Sequence, residues 1–572
     1  MRSAFLNRKN ILIAILILAA SLRLFGLSKG DVLGDEALYS FRAVGMMDFD
    51  EAEYQTTPLE WFDGRIPAWT SFSFHDHPLL VFFVQHIFIV LFGENNFAFR
   101  LPSALFGIAA IYLLYRIGTL LFSRSIGLLS ALILAVTVNH VFISRVGLQE
   151  SYVIFFLLLG IYFFLQSLRQ SVNFIYLGIA IGLGLLAKIT AVILVPVIGT
   201  YLIFFRPDCL RKKSLWIGAV LTLLIASPLV IYNLEMYRAT GHFDFQFSYI
   251  FGQNPEVWKV APGKEEIGAL GVRVRNFFPN LYMGYSWLIL GVFGVSAISF
   301  FIQLKKGFAL AFRRFAFLSL TFFYLILLFL FIGTSRRFLT MLAPFIALSS
   351  AVFLSAAAEK LLVLKNKNVG TGIVIACSGL FLTFEIFYSV NSELLYTPKG
   401  PLVWMHSDVG YENYNWGYNE LDAYLKKELD GKMPALTLDA KYQFLENVKN
   451  ESLAKDRREG KDPYPALIIY DGNIANIPQL WILDRLQIYH GWPVLKTETY
   501  LEFLNEKGPG FFKDAGVSSH YFVAPGMTVP LKKEKSLTET GALFENELRL
   551  LGVSPLSIKS KRGEEVFRIY KF

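Results

Sequence analysis

The chain has 572 residues, of which 54% are hydrophobic, 16% aromatic and only 17% charged. An ordinary soluble domain is about 25% charged, and runs of about 20 apolar residues are long enough to cross a bilayer. These values exclude a fully soluble enzyme and a disordered chain. The two cysteines, Cys209 and Cys377, are too few for a disulfide scaffold or a Cys-rich metal site.

The net charge of +9 is unevenly distributed. Residues 1–390 carry 31 Lys and Arg against 20 Asp and Glu, whereas residues 391–572 carry 23 against 25. The basic excess therefore belongs to the apolar part, where basic residues beside membrane spans usually fix orientation, and we expect no nucleic-acid partner. This change in composition predicts a membrane domain over 1–390 and a separate domain over 391–572.

Apolar runs in the first domain predict about eleven membrane-crossing helices. Residues 174–205 are too long for one span and carry Lys188 near their middle, which predicts two short helices that meet there. The run 79–93 is short and follows Pro78, which favours an interfacial helix that lies on the membrane. The other spans are predicted at 11–27, 98–122, 126–143, 152–168, 214–234, 282–303, 315–333, 338–358 and 370–390.

Charge predicts the orientation of these spans. If 79–93 does not cross, nearly all basic residues between the spans, such as Arg124, Lys213 and Lys360, fall on one side. The positive-inside rule then places the N-terminus in the cytoplasm. Residues 28–97, called the acidic loop below, and the C-terminal domain then lie outside. The acidic loop holds 11 of the 20 acidic residues of the membrane domain, and its length indicates a function of its own.

Two acidic residues stand at the start of this loop. The sequence GDEALY, Gly34 to Tyr39, places the adjacent carboxylates of Asp35 and Glu36 just after the first span. A carboxylate near the low-dielectric boundary can be desolvated and act as a base. The alternative interpretation is a solvated end of a loop, because perturbed acids predict sites only loosely.

Three potential ligands precede the predicted interfacial helix. His75, Asp76 and His77 stand at consecutive positions and have the donor atoms for a divalent metal or a phosphate. Adjacent side chains rarely converge on one ion, so one or two would bind it, with His242 from a later outer loop as a candidate partner. The alternative is a set of polar residues at the start of a helix.

Basic residues at the same predicted membrane face complete the set of candidates. Arg145 and Glu150 lie in a tight turn and either pair with each other or face the acidic loop. Lys188 either reaches the outer interface or binds an anion, because an unpaired Lys is costly in lipid. Arg336 and Arg337 suit a lipid phosphate, or are harmless flanking charges. Acids and bases at one face suit a reaction between a lipid-linked phosphate and a hydroxyl or amine.

Several stretches resemble, in order, motifs of the GT-C glycosyltransferases, and in particular the protein O-mannosyltransferase and lipid A aminoarabinose transferase group. These stretches are GDEALYSFRAVGM, FHDHPLLVFF, FAFRLPSALFGIAAIYLLYRIGTLLF, GLLSALILAVTVNHVFISRVGLQES, GLGLLAKITAVILVPV and RRFLTMLAPFIAL. The match runs over most of residues 11–358. The resemblance implies an all-α polytopic membrane domain of GT-C type that uses a polyprenyl-phosphate-linked sugar, in a plasma membrane that for this branch is the bacterial inner membrane.

The resemblance also implies roles for individual residues. Asp35 falls on the family's base, Glu36 on its second acid and Glu150 on the acid of the second outer turn. Asp76 and His77 match a charged pair before proline; in the aminoarabinose branch this pair is Glu and Lys, and the Glu is a metal ligand. The predicted metal ligands are Asp76, His242 and His75. The predicted substrate-binding residues are Tyr39, His77, Arg145, Lys188, Arg336 and Arg337.

The implied reaction is a direct displacement that inverts the anomeric centre. Asp35 takes the proton of an acceptor hydroxyl, the sugar C1 is attacked, and the lipid phosphate leaves. Lys188, the arginine pair and a divalent metal, if one binds, stabilise that phosphate. The donor sugar is a hexose or a pentose, and the acceptor is an extracytoplasmic glycan, lipid or protein. The alternatives are a transporter or flippase of a lipid-linked precursor, and a catalytically silent membrane scaffold.

The C-terminal domain shows alternating helix and strand patterns. Helical spacing at 414–429 and 477–487 alternates with strand-like runs at 466–472 and 520–526, which predicts a small extracytoplasmic α/β domain. Residues 562–572 alternate as expected for an edge strand. No Gly-rich phosphate loop follows the first run, so we expect no nucleotide cofactor. The domain either contacts the acceptor or covers the site, or it is a structural cap.

Overall fold

A computed structural model describes residues 8–50, 52, 54–260, 268–306, 308–362, 367–397, 400–409, 414–533 and 536–572. The chain divides into two compact units, which are described separately. The first unit comprises residues 1–27, 71–253 and 265–411, and the second comprises 28–70, 254–264 and 412–572. The predicted boundary near residue 390 follows chain order, whereas the second unit draws on three separate segments.

Apolar helices make up the first unit. Five are long and apolar enough to cross a membrane within the described residues, namely Asn96–Leu121, Glu150–Ser167, Phe315–Ile332, Phe338–Leu362 and Val369–Glu393. The helices Lys213–Ile225 and Ser227–Thr240 form a further candidate span bent by 50°. The bend lies next to Pro228, which lacks the backbone donor that would continue the helix. These helices support a membrane protein, while the number of eleven spans stays a prediction.

Further helices complete this unit. They are Arg8–Leu24, Leu80–Phe92, Arg124–Val136, Val138–Ile143, Asn173–Ala187, Leu194–Phe205, Phe245–Ile250, Leu270–Gly284 and Trp287–Lys306. Two of the spans given above lie within longer helices, Phe308–Ile332 and Lys367–Glu393, whereas Phe338–Leu362 consists of a 3-10 turn over Phe338–Leu342 and the α-helix Ala343–Leu362. The run 79–93 forms a helix of 13 residues, shorter than the about 20 that a span needs.

The predicted break at Lys188 is confirmed. The helix Asn173–Ala187 ends at Lys188, whose φ of −163° and ψ of 135° are extended, and a 3-10 turn over Ile189–Ile193 leads into the next helix. The predicted span 126–143 is also divided, because the chain leaves the helical conformation at Thr137.

Two glycines allow a close approach between two helices in this unit. A Cβ atom placed on Gly178 would overlap the carbonyl group of Gly218 on the helix Lys213–Ile225. Small residues of this kind let membrane helices pack backbone to backbone. A larger residue at either position would therefore force the two helices apart.

The second unit contains the described strands. They are β1 (Lys432–Pro434), β2 (Asp462–Tyr464), β3 (Ala466–Tyr470), β4 (Val494–Lys496), β5 (Ser519–Pro525), β6 (Leu556–Lys559) and β7 (Glu565–Lys571). Strands β3 to β7 form a mixed sheet in the order β4-β3-β5-β7-β6, in which β3 is parallel to β4 and β5, and β7 is antiparallel to β5 and β6. Strands β1 and β2 form a separate parallel pair.

The predicted α/β architecture is confirmed, but the predicted edge strand is wrong. Strand β7 lies between β5 and β6, and four of its seven residues are buried, as suits a strand with a neighbour on each side. The edge is β6, a four-residue strand that shifts register against β7 at Ile558 and Lys559. So short a segment carries too little alternation to be recognised from sequence.

The second unit also contains helices. They are Asp35–Gly45, Pro58–Trp61, Glu256–Lys259, Tyr418–Leu429, Gln443–Arg458, Asn476–Gln479, Arg485–His490, Thr497–Lys507, Phe511–Asp514 and Glu539–Leu550, with a π-helical turn over Leu480–Asp484. The core of the sheet contains buried Leu467, Ile469, Phe522, Phe544 and Tyr570. Residues 28–70 thus fold together with residues 412–572 in one unit.

Candidate functional site

Asp35 and Glu36 form the first turn of the helix Asp35–Gly45 in the second unit. Gly34 precedes them with φ 59° and ψ −152°, a conformation open essentially only to glycine. Both carboxylates lie at the positive end of the helix dipole, which favours negative charge. Asp35 is half-buried, whereas Glu36 and Tyr39 are buried. Asp35 is therefore the more accessible of the two acids.

The helix that carries these acids packs on the C-terminal part of the same unit. Phe41 and Met47 share a buried cluster with Tyr442 and Tyr489, and the rings of Phe41 and Tyr489 lie 4.9 Å apart. A Cβ atom on Gly45 would overlap the ring of Tyr489. This close packing fixes the direction of the helix and hence the position of its first turn.

Three other predicted residues meet in the first unit. Lys188 Nζ lies 2.6 Å from Glu150 Oε1, and Arg337 Nε lies 3.2 Å from the same oxygen. The side chains of Glu150, Lys188 and Arg337 are 2%, 9% and 20% exposed, so Arg337 is the most accessible member. Two cations around one carboxylate leave a net positive charge, which suits an anionic ligand.

These three residues lie where helices begin or are interrupted. Glu150 begins the helix Glu150–Ser167, Lys188 occupies the extended joint between two helices, and Arg337 precedes the 3-10 turn Phe338–Leu342. The ring of Phe338 lies under both cations, 4.5 Å from Lys188 Nζ and 5.4 Å from Arg337 Cζ. An aromatic face stabilises cations in a partly desolvated position.

Arg336 and Arg145 have different surroundings. The Arg336 side chain is 42% exposed, and its Nη1 donates to the backbone carbonyl of Asp408 at 3.2 Å. Arg145 is fully buried and donates to the carbonyl groups of Leu22 and Arg23 at 2.8 and 3.1 Å. The Arg145 guanidinium therefore caps the end of the first helix, and its predicted role in donor binding stays a prediction.

The predicted metal residues lie against the segment that contains His242. Asp76 Oδ1 is 3.0 Å from His77 Nδ1, and Asp76 Oδ2 is 4.0 Å from His75 Nε2. The carbonyl of His75 accepts a hydrogen bond from the Phe245 amide at 2.8 Å. His242 Nδ1 lies 2.8 Å from the carbonyl of Phe243 in its own segment.

Sequence reasoning missed Asp244 in that segment. Its carboxylate accepts hydrogen bonds from Asn233 Nδ2 at 2.8 Å and from the Phe247 amide at 2.7 Å, and it begins the helix Phe245–Ile250. Burial raises the pKa of Asp244 to about 7, although these hydrogen bonds and His75 favour the ionised form. Its position before a short helix, two residues after His242, was the available signal.

The residues at this position fit a divalent metal ion. His75 Nε2 and Asp76 Oδ2 are 4.0 Å apart, which is within twice the usual metal–ligand bond length of about 2.1 Å. Imidazole and carboxylate are common ligands of such ions. His75 is also 98% buried, so its ring is held in one orientation by its surroundings.

Comparisons of sequence identify similar proteins. The family model described as dolichyl-phosphate-mannose-protein mannosyltransferase matches residues 76–232. The chain is 28% identical over 156 residues to YycA of Bacillus subtilis, named as a mannosyltransferase. It is 26% identical over 176 residues to the undecaprenyl phosphate-alpha-4-amino-4-deoxy-L-arabinose arabinosyl transferase of Wigglesworthia glossinidia brevipalpis. These matches cover 26% and 29% of this chain, and 22% and 31% of the two relatives, so the chain spans less than a third of their length.

Comparisons of structure extend over nearly the whole chain. ArnT from Cupriavidus metallidurans aligns with a TM-score of 0.50 and 13% identity in its apo state. With undecaprenyl phosphate bound, it aligns with a TM-score of 0.51 and 14% identity. Both alignments cover 98% of this chain and 97% of ArnT. At this identity the likeness shows the fold, and together the comparisons support a GT-C glycosyltransferase, as the motifs predicted.

Proposed function

We propose that the chain is an integral membrane glycosyltransferase that moves a hexose or pentose from a polyprenyl-phosphate donor to the hydroxyl of an extracytoplasmic acceptor. The observation that carries this proposal is the cluster of Glu150, Lys188 and Arg337, in a chain with the fold of ArnT. The names of the mannosyl- and arabinosyltransferase relatives support the same class of reaction. The acceptor is a glycan, a lipid or a protein.

Lys188 and Arg337 bind the phosphate of the donor in this proposal. Arg337 contacts Glu150 through Nε, and the planar fork of N–H donors of a guanidinium matches the oxygens of a phosphate. As the bond between the sugar C1 and the phosphate oxygen breaks, negative charge develops on that oxygen, and positioned cations stabilise it. Glu150 orients both cations before the donor arrives, because its Oε1 contacts each of them.

Asp35 acts as the base. It removes the proton of the acceptor hydroxyl while the acceptor oxygen forms a bond to C1, and the polyprenyl phosphate leaves with the electron pair of the broken bond. A single displacement of this kind inverts the anomeric centre. The half-buried Asp35 is accessible to an acceptor, whereas Glu36 and Tyr39 are buried and hold the same helical turn.

The other predicted site residues bind the donor or stabilise the fold. His77 contacts Asp76 and adds a donor group for substrate, and Arg336 adds a partly exposed positive charge. A divalent ion bound by Asp76 and His75, with His242 as a further ligand, would supply Lewis-acid stabilisation of the phosphate. Arg145 keeps the end of the first helix in place.

We also propose the location of the protein. The basic excess on one side of the predicted spans supports a cytoplasmic N-terminus and an extracytoplasmic second unit in a plasma membrane. The bacterial origin of the similar proteins supports the bacterial inner membrane.

Reconstituted protein tests this proposal. The purified chain in lipid nanodiscs is incubated with polyprenyl-phosphate-linked hexoses and pentoses, and released polyprenyl phosphate and transferred sugar are measured. We expect turnover by the wild type, and loss of turnover together with weaker binding of undecaprenyl phosphate in Lys188→Met. Movement of intact donor between leaflets of proteoliposomes, with no cleavage at C1, would instead indicate the flippase. Absence of both activities would indicate the silent scaffold.

A further inference from the structure

Asp31, four residues before Asp35, is bonded to a distant part of the second unit. Its carboxylate is buried and accepts four backbone N–H groups of residues 416–419. Oδ2 lies 2.6, 3.0 and 3.2 Å from the amides of Trp416, Gly417 and Tyr418, and Oδ1 lies 2.9 Å from that of Asn419. These amides begin the helix Tyr418–Leu429, whose dipole favours a carboxylate at this end.

The contact between residues 29–31 and 414–419, called the Asp31 joint below, also contains hydrogen bonds in the opposite direction. The Asn419 side chain donates to the carbonyl groups of Gly30 and Lys29 at 2.8 and 3.1 Å, and the Asp31 amide donates to the Tyr414 carbonyl at 2.7 Å. Residues 29–31 are thus bonded through donors and acceptors on both segments. Asp31 and its partners leave little freedom for the chain just before Gly34.

The segment that donates these hydrogen bonds to Asp31 packs on the sheet. The Tyr418 ring lies 5.4 Å from the ring of Phe567 in β7, and its hydroxyl donates to the Pro530 carbonyl. Gly417 has a φ of +120°, and a Cβ atom there would overlap Val566 of β7. The segment that receives Asp31 is therefore fixed to a central strand of the C-terminal sheet.

A second carboxylate of the acidic loop makes the same kind of bond. Asp63 accepts the amides of Gln443 and Phe444 at 2.8 and 3.1 Å, at the start of the helix Gln443–Arg458. Asp63 is exposed and lies 28 residues from Asp35, whereas Asp31 is buried and lies four residues from it. Asp63 therefore provides a chemically matched control.

We propose that Asp31 is a positioning residue, which holds the turn of Asp35 and Glu36 on the C-terminal sheet and so makes that sheet a support of the base. This inference rests on the proposed function, in which Asp35 is the base. The C-terminal domain then contributes to turnover without contact with the substrate. Asp31 adds one carboxylate with four backbone donors to the packing of the helix Asp35–Gly45 on Tyr442 and Tyr489.

Hydrogen exchange and kinetics of the full chain in nanodiscs test this role. In Asp31→Asn, one acceptor oxygen becomes a donor that faces backbone N–H groups, so we expect amides 34–37 and 416–419 to exchange about tenfold faster or more. Turnover should fall about tenfold or more, with unchanged Kd for undecaprenyl phosphate, because the base is displaced while the phosphate site is intact. Asp63→Asn should leave turnover and amides 34–37 as in the wild type.

The outcomes separate this inference from the proposed function. Unchanged exchange at 34–37 in Asp31→Asn, or an equal loss of turnover in Asp63→Asn, would overturn the positioning role. If the wild type cleaves no polyprenyl-phosphate sugar, the proposed function fails, and the exchange result alone decides whether Asp31 anchors the turn. If Asp31→Asn does not fold, Asn419→Ala tests the same joint, and we expect smaller changes at the same amides.

Discussion

Lys188 Nζ lies 2.6 Å from Glu150 Oε1, and both side chains are more than nine-tenths buried. The two partners lie 38 positions apart in the chain, at the start of the helix Glu150–Ser167 and directly after the helix Asn173–Ala187. A buried ion pair of this kind is weak evidence for stability by itself, because desolvation offsets much of the attraction. In the proposed function, this pair and Arg337 hold positive charge at the phosphate site.

Removal of Glu150 should be more damaging than removal of Lys188. In Glu150→Gln, two cations lose their anion, whereas in Lys188→Met the carboxylate keeps Arg337. Breaking a buried pair by removing one partner typically costs about 3–5 kcal/mol. We expect a lower melting temperature of the detergent-solubilised protein for both variants, with the larger decrease in Glu150→Gln.

The exposed pair of Arg206 and Asp208, at 2.9 Å, provides the control. Asp208→Asn should leave the melting temperature almost unchanged, since exposed ion pairs contribute little to stability. Equal decreases in Glu150→Gln and Asp208→Asn would contradict the importance of the buried cluster.

Asp35→Asn should abolish sugar transfer while donor binding persists. Loss of a general base typically lowers the rate about 10²- to 10⁴-fold. The isosteric amide keeps the packing of the helix Asp35–Gly45, so we expect wild-type Kd for undecaprenyl phosphate and a wild-type melting temperature. Transfer and binding are both measured in nanodiscs, and wild-type turnover by this variant would remove Asp35 from its role.

Substitution of both His75 and Asp76 should abolish binding of a divalent ion. The purified protein is equilibrated with Zn²⁺ or Mn²⁺, separated from free metal by gel filtration, and measured by mass spectrometry of the elements. We expect bound metal in the wild type and in His86→Gln, and none in the double variant His75→Gln/Asp76→Asn. Equal metal contents in all three proteins would refute a site at these residues.

Asp31 should make the free energy of unfolding depend on pH in the acidic range. Burial raises its pKa to about 6 from the usual 3.8, although the amides of residues 416–419 favour the ionised form. A raised acid pKa means that the folded state binds the proton more tightly, so the contribution of Asp31 to stability is greatest below pH 4. It declines as the pH rises towards 6, by at most about 3 kcal/mol.

The measurement compares melting temperatures of the wild type and Asp31→Asn between pH 4 and pH 8. The difference between the two proteins should change between pH 4 and 6 and remain constant above pH 7. A difference independent of pH over the whole range would show that the pKa of Asp31 is not raised.

The sequence predicted the parts of the fold that depend on local pattern. The break at Lys188 follows from a charge in the middle of an apolar run that is too long for one span, and the structure confirms it. The alternating patterns around β3 and β5 correctly predicted an α/β domain. The place of β7 in the sheet was mispredicted, because periodicity shows which residues face the core but not how many neighbours a strand has.

The sequence also selected Glu150, Lys188 and Arg337, but as separate candidates. Their contacts join helix ends that lie far apart in the chain, and no local rule predicts that one oxygen accepts both cations. Asp31 and Asp244 were missed for the same reason, since each looks like an ordinary loop acid. In the structure, the positions of their backbone and side-chain donors distinguish them.

The joint at Asp31 also imposes an order on biosynthesis. Asp31 and the Trp416 amide are 385 residues apart, so the carboxylate is synthesised long before its donors exist. At about 5–20 residues per second, a ribosome needs roughly 20–80 seconds to cover that interval. During this time the helix Asp35–Gly45 lacks both the hydrogen bonds between Asp31 and the amides of residues 416–419 and its packing against Tyr489. The acidic turn therefore lacks these contacts until residues 416–419 and Tyr489 have been synthesised.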